Sequence, residues 1–137
     1  MTTPNFGVRW QFLSVEDIVC SYLNPIAPGN VRPEMPNDAA LPFILVRRVA
    51  GGDDGVTDRA TVQVDSFHTN RSAAYDIAAL AHTLMLDIKS APIVVNGVSV
   101  RVDRVEHGQS PAWLDYQDEN LRRFVARYRI ETRITPL

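Results

Sequence analysis

Four arginines recur at alternate positions near the end of the chain, and their spacing suggests a binding surface. They are Arg123, Arg127, Arg129 and Arg133. Side chains of a strand point alternately to its two faces, so a strand over about 122–132 would present all four on one face. Arginine pairs in a two-pronged way with carboxylates and phosphates. The row therefore predicts a contact with a neighbouring subunit or with DNA; the alternative is an ordinary exposed face.

Like charges in a row repel, so the arginine face requires acidic groups nearby. Glu131 lies on the same face, and neighbouring strands could supply Asp65 or Asp103. Further carboxylates could come from the next subunit. The candidates in this chain are Asp115, Asp118 and Glu119.

Those acidic residues belong to a segment over 109–121 that also carries aromatic side chains, and its composition predicts a loop. Trp113 and Tyr116 are expected either to plug the core or to anchor an interface, because Trp and Tyr are frequent in both settings. The carboxylates favour a solvated loop or a partner contact over acid–base chemistry.

The residue types that usually carry catalysis or metal binding lack partners at suitable spacing. His68, His82 and His107 have no second ligand near them in sequence, and Cys20 lies among apolar neighbours. Asp53-Asp54-Gly55 lacks the remaining ligands of a calcium loop and predicts a hairpin tip. We therefore expect no catalytic residue, no metal and no cofactor, and a protein that is not an enzyme.

Length and composition favour one soluble domain over residues 1–137. Of the 137 residues, 45% are apolar and 22% are charged, and the net charge is −2. These values exclude a disordered tail and give no overall attraction to nucleic acid. No apolar run reaches the roughly 20 residues of a membrane span. We expect no secretion signal and a cytosolic protein.

Two helices are predicted from capping residues and apolar spacing. Ser14 can cap a short helix over about 14–24, which ends before Pro25. A proline-rich extended segment follows over 25–42. Thr69 or Asn70 can cap the main helix, over about 70–89. Its apolar stripe is formed by Ala74, Ile77, Ala78, Ala81, Leu84, Met85 and Ile88.

The other apolar segments predict about five strands. An interior strand over 43–49 and a partner over 58–67 would form a hairpin around a turn at 50–55. Asn96-Gly97 predicts a tight turn between 93–95 and 98–102. With the last strand, the pattern indicates an α+β fold of two layers, in which the main helix covers a mostly antiparallel sheet.

Three passages together resemble a known family. They are Leu41–Arg48, Asp58–Phe67 and Ala73–Asp76. The most telling part runs from Val62 to Asp76, from within the second passage to the end of the third. This chain resembles the tail-terminator (tail-completion) proteins of long-tailed bacteriophages over about residues 10–133.

The resemblance implies a structural protein of the virion, located at the tail–neck junction and present in the host cytoplasm during assembly. It implies a homohexameric ring that caps the finished tail tube. Its partners would be copies of itself, the major tail tube protein and the head-closure or connector protein, with genomic DNA passing through the channel without sequence specificity. The family offers no catalytic residues.

Three alternatives remain open at this point. One is another neck component, such as a head-closure or adaptor protein. A second is a tail tube or minor tail protein, and a third is a small enzyme of unrecognised type. The enzyme would require a pocket containing a group with a perturbed pKa.

Overall fold

A computed structural model describes Gly7 and residues 9–136, without the side chain of His107. The elements in chain order are β1 (Trp10–Gln11), α1 (Val15–Leu23), β2 (Val31–Arg32), β3 (Phe43–Asp53), β4 (Thr57–His68), α2 (Arg71–Leu86), β5 (Ile93–Val95), β6 (Val98–Val100), β7 (Arg104–Trp113), β8 (Arg122–Arg133) and β9 (Thr135–Pro136).

Five strands form the main sheet in the order β2-β3-β4-β8-β7. β2 runs parallel to β3, and every other pair in this sheet is antiparallel. β4 and β8 pair without interruption over twelve residues, from Thr57↔Arg133 to His68↔Arg122. The predicted α+β fold with a mostly antiparallel sheet is confirmed.

Alternation along the two central strands decides which face of the sheet is buried by the helices. Ala60, Val62 and Val64 of β4 pack into one apolar cluster with both helices and with three residues of β8, namely Ala126, Tyr128 and Ile130. Tyr128 and Ile130 of β8 are at most 1% exposed. Both helices therefore cover the same face of the sheet.

The predicted capping and turn residues act where expected. The Ser14 hydroxyl accepts a hydrogen bond from the backbone N–H of Asp17 (3.3 Å), and the Asn70 side chain accepts one from that of Ala73 (2.9 Å). Asn96 and Gly97 have φ values of 49° and 79°, as a type I′ turn requires. These contacts fix the beginnings of both helices and the tip of the β5–β6 hairpin.

The apolar stripe of α2 packs on the sheet as predicted. Ala81 and Met85 are buried, and Ile77 and Leu84 are partly buried against the same cluster. The helix ends at Leu86, and a 3₁₀ turn over Ile88–Ser90 continues the chain. No helix among the described residues is long and apolar enough to cross a bilayer.

Two strands of the main sheet were not predicted. The predicted loop over 109–121 overlaps β7 at Gln109–Trp113, so the loop begins at Leu114. β7 contains Gly108, Pro111 and two register irregularities, and these obscure the period of two. β2 lies inside the proline-rich segment, and its two residues are too few for a pattern to show.

The other corrections concern the hairpins. β5 and β6 form a separate two-stranded sheet instead of joining the main one, and β6 ends at Val100. β3 continues through the predicted turn to Asp53. Gly51 makes this continuation possible, because its φ is +99° and a Cβ there would lie 2.0 Å from the carbonyl oxygen of Arg59. The turn is formed by Asp54, whose carboxylate accepts the N–H groups of Val56 and Thr57.

A carboxylate contact fastens α1 to the outer edge of β3, and an ion pair beside it joins β3 to β4. The Glu16 carboxylate accepts the backbone N–H of Arg48 (2.9 Å). The Arg48 guanidinium donates to both oxygens of the buried Asp58 carboxylate, at 2.6 and 2.7 Å. This two-pronged hydrogen bond raises the pKa of Arg48.

Replacing Met85 with Ala should lower the free energy of unfolding by about 2–5 kcal/mol, because Met85 is 0% exposed and its loss leaves a cavity. Leu80→Ala, on the same helix at 49% exposure, should change it by only about 0.5 kcal/mol. Urea denaturation of both variants measures the difference. Equal losses in the two variants would contradict the packing described here.

Candidate functional site

The sheet face opposite the helices is the candidate functional site, and we call it the open face. It is formed by the odd-numbered residues of β4 and β8, together with the residues of β3 and β7 in the same rows. Arg123, Arg127, Arg129 and Arg133 all belong to it, as the alternation predicted.

Arg123 connects the sheet to the loop over 114–121. Its guanidinium lies 3.7 Å from the Asp65 carboxylate and donates a hydrogen bond to the backbone oxygen of Asp115 (3.1 Å). It also stacks on the Tyr116 ring, at 5.0 Å from the centroid. Its Nε is buried without a hydrogen-bond partner in the described part of the chain. Arg123 thus holds the loop within its own domain.

Asp65 is the buried centre of a polar network on the open face. Its carboxylate is 0% exposed, accepts a hydrogen bond from the Gln63 amide (2.9 Å) and lies 3.5 Å from the Arg47 guanidinium. Burial raises the pKa of Asp65 and outweighs the opposing effects of Gln63, Arg47 and Arg123. Arg127 extends the network, because its Nε donates to the Gln63 side-chain oxygen (3.1 Å).

The arginines nearer the β3–β4 turn differ in how their charge is offset. Arg133 lies 3.0 Å from the Asp103 carboxylate. Glu131, on the same face, pairs with Arg59 of β4 at 3.3 Å. Within the described residues no acidic side chain lies within ion-pair distance of Arg129 or Arg127. The predicted neutralisation of the arginine row by Asp65 and Asp103 is therefore confirmed. It applies to Arg123 and Arg133 and leaves Arg127 and Arg129 without an acidic partner in the described structure.

Arg129 lines a small charged hollow on the open face. The hollow has a volume of about 150 Å³. Its other charged residues are Arg59, Arg104, Glu106 and Glu131, and Arg104 forms an ion pair with Glu106. The hollow can accept a carboxylate or another anionic group beside Arg129.

In the described structure the carboxylates of the loop form no ion pair with any of the four arginines. The Asp115 carboxylate accepts the indole N–H of Trp113 (3.0 Å), and that of Asp118 accepts the backbone N–H of Asn120 (2.9 Å). In the described structure neither Asp118 nor Glu119 forms an ion pair. Contact of these residues with another subunit stays a prediction.

Both aromatic residues of the predicted loop are used inside the domain. Trp113 packs edge-on against Phe124 at 5.6 Å between ring centroids, and Arg71 stacks over its indole at 4.7 Å. Tyr116 packs edge-on against Phe67 at 5.1 Å. These contacts support the core-plug interpretation; an additional role at an interface stays a prediction.

The proline-rich segment and the 114–121 loop meet at one end of the molecule. Together they line a hollow of about 330 Å³. Its lining residues are Met35, Pro36, Asn37, Tyr116, Gln117, Asp118 and Leu121. The two segments that the sequence marked as irregular are thus neighbours in space.

The remaining reactive residues form no site in the described structure. Burial and the nearby Asp17 and Glu16 raise the pKa of the Cys20 thiol to about 12, which makes it a poor nucleophile at neutral pH. His82 lies within 2.7 Å of the Tyr128 hydroxyl. No group of three or more His, Cys, Asp or Glu side chains among the described residues is placed to hold a metal ion.

Two members of the site were not identified from the sequence, namely Gln63 and Arg47. Gln63 alternates with Val62 and Val64, so its position on the polar face of β4 was visible. The sequence does not show that Gln63 bridges Asp65 and Arg127, because this bridge depends on the register across β3, β4 and β8. Arg47 joins the network by the same three-strand alignment.

Comparisons with known proteins show a likeness of fold. No protein-family model matches this chain, and no curated protein matches it. A solved structure described as the virion of a native gene transfer agent (GTA) particle contains a similar chain. The two chains superpose with a TM-score of 0.56 and 12% sequence identity, over 88% of this chain and 95% of that chain. Nearly the whole domain thus shares its fold with that chain.

The raised pKa of Asp65 predicts a distinctive pH dependence of stability. The folded state holds the Asp65 proton more tightly than the unfolded state does. The contribution of Asp65 is therefore fully present below its ordinary pKa of 3.8 and is lost as the pH rises above it. Relative to Asp65→Asn, the wild type should lose stability over this rise, as urea denaturation at several pH values would show.

Asp54 is the matched control, because hydrogen bonds from Thr57 and Val56 lower its pKa to about 2. Its contribution should be lost as the pH falls from 3.8 towards 2, so Asp54→Asn should show the opposite trend. A flat difference between the wild type and Asp65→Asn from pH 3 to 7 would show that Asp65 is not desolvated as described.

Proposed function

We propose that this chain is a structural protein of a phage-like virion, a subunit of the tail-terminator type. In this proposal copies assemble as a homohexameric ring at the head-proximal end of the tail, end the polymerisation of the tail tube and form the surface that joins the head. The main support for this proposal is the fold that this chain shares, over 88% of its length, with a chain of the GTA virion particle. The resemblance of residues 10–133 to tail terminators supports the finer role.

Unbalanced charges on the surface support assembly with copies of the chain. Arg127 and Arg129 lie on the open face without an acidic partner in the described structure, and Asp118 and Glu119 lie on the loop without a basic one. The two arginines and the two acidic residues do not pair with each other within the described subunit. A neighbouring subunit can bring them together, and several partly buried pairs can stabilise a ring where a single exposed pair contributes little.

The central channel is the second place where the arginine face can lie. There it would meet genomic DNA, which passes without sequence recognition. Arginine holds phosphate tightly, which opposes sliding, so we favour the subunit contact for Arg127 and Arg129. The other partners in this proposal are the major tail tube protein on one side and the head-closure or connector protein on the other. The proposal assigns no chemical step, metal or cofactor to the chain.

Another neck component, such as a head-closure or adaptor protein, is the second candidate. The shared fold supports it as well, because the likeness is to a chain of a whole virion particle. The two candidates differ in their effect on tail length.

Deleting the gene should leave filled heads and unjoined tails, some of them longer than normal, because nothing ends tube polymerisation. Electron microscopy of the lysate measures both the joining and the tail length. Unjoined tails of normal length would favour the head-closure candidate. Joined tails of normal length would refute both candidates.

Reversing two charges of the open face should block assembly. Arg127→Glu with Arg129→Glu places negative charge where a carboxylate or phosphate must bind, so complementation of the deletion should fall at least tenfold. The control is Lys89→Glu with Arg101→Glu, which changes the net charge equally at two exposed positions off the open face. Wild-type complementation by the first variant would show that this face is only solvated.

A further inference from the structure

Within the part of the chain that the structure describes, both edges of the main sheet are partly unpaired in the single subunit. β7 is the last strand on one side. On the other side β2 pairs only with Ile44 and Leu45, which leaves the rest of β3 at the edge. Unpaired strand edges present backbone N–H and C=O groups to any strand that approaches them.

The edge of β3 is open from Val49 to Asp53. The Glu16 carboxylate already takes the backbone N–H of Arg48, so the open part begins after that residue. All five residues of the open part are exposed, and the sequence Ala50-Gly51-Gly52 carries no side chain that would keep another backbone away. A β-bulge at Val49 and the positive φ of Gly51 bend this edge, but Ala50 to Asp53 pair in continuous register with β4. The edge contains no proline or lysine, which commonly guard edge strands.

The edge of β7 is suitable for pairing only in its first half. Arg104 to His107 pair regularly with β8, whereas the register shifts between His107 and Gln109 and again before Ala112. Pro111 lacks an N–H group and lies in this irregular half. The second half of β7 is thus too irregular to continue a ladder, whereas the first half is regular and carries the charged Arg104 and Glu106.

The two open edges lie at the same height in the sheet. The registers align Gly52 with Arg59, Glu131 and Arg104 in one row. The next row on this face aligns Ala50 with Thr61, Arg129 and Glu106. Three successive antiparallel pairs separate β3 from β7, so the two strands run in opposite directions.

We propose that the Val49–Asp53 edge of one copy pairs antiparallel with the Arg104–His107 edge of the next copy, so that the sheets of the ring are joined edge to edge. This inference rests on the ring of the proposed function. Copies related by rotation about an axis along the strands bring these two edges together without a change of height.

Charge and alternation restrict the register of this contact. At equal height Glu106 of one copy lies one row from Arg47 of the other, on the open face of both copies. A slip of one residue would turn the charged residues of β7 to the helix side of the neighbouring sheet. Only this register, or one shifted from it by an even number of residues, keeps the open face continuous from copy to copy.

Paired cysteines test the contact directly. Gly52→Cys with Arg104→Cys, and independently Ala50→Cys with Glu106→Cys, place thiols in the two aligned rows. A Cβ at Gly52 meets nothing within 4 Å, so the subunit should tolerate the change. The control is Gly52→Cys with Ser110→Cys, because Ser110 lies about 20 Å along the strand from Arg104, beyond the reach of a disulfide.

Each variant is expressed in place of the wild type, and purified virions are oxidised and analysed on non-reducing gels. We expect one or both aligned pairs to give disulfide-linked oligomers in most of the incorporated chains, at least tenfold above the control and the single-cysteine variants. Virions that incorporate the aligned pairs without this excess would overturn the strand pairing and leave the proposed function standing. Absence of the wild-type chain from virions would overturn the proposed function itself.

Discussion

The uninterrupted pairing of β4 with β8 is the constraint on which the rest of the structure depends. Twelve residue pairs in perfect register mean that each side chain on one strand has a fixed neighbour on the other. Because side chains alternate, the same pairing sends Val62 and Tyr128 into the core under the helices and sends Gln63 and Arg127 to the open face. The core and the candidate site are therefore two sides of one strand pair.

The open face is ordered at one end and electrostatically unbalanced in the middle. At the loop end, buried Asp65 and stacked Tyr116 hold Arg123 in place. Towards the β3–β4 turn, Arg129 faces a small hollow without an ion-pair partner in the described structure. A face that neutralises Arg123 and Arg133 and leaves Arg127 and Arg129 without an acidic partner in the described structure is suited to recognising a charged partner.

Much of the fold follows from local signals, and the failures have physical causes. Ser14, Asn70 and Asn96-Gly97 act through contacts within a few residues, so the sequence reveals them. β7 was missed because Pro111 and two irregularities interrupt its alternation, and only long-range pairing with β8 makes it a strand. That four arginines share one face follows from alternation along a single strand, and it was predicted. The bridge of Gln63 to Asp65 and Arg127 depends on the register of three strands, and it was not predicted.

We propose that copies of this chain form a ring between tail and head. The most direct measurement is a cryo-electron microscopy reconstruction of the virion neck in which this chain is fitted to the density. We expect a closed ring of this chain on the last tube layer, with the main sheets of adjacent copies side by side. Density for this chain elsewhere in the particle, or a neck without it, would contradict this proposal.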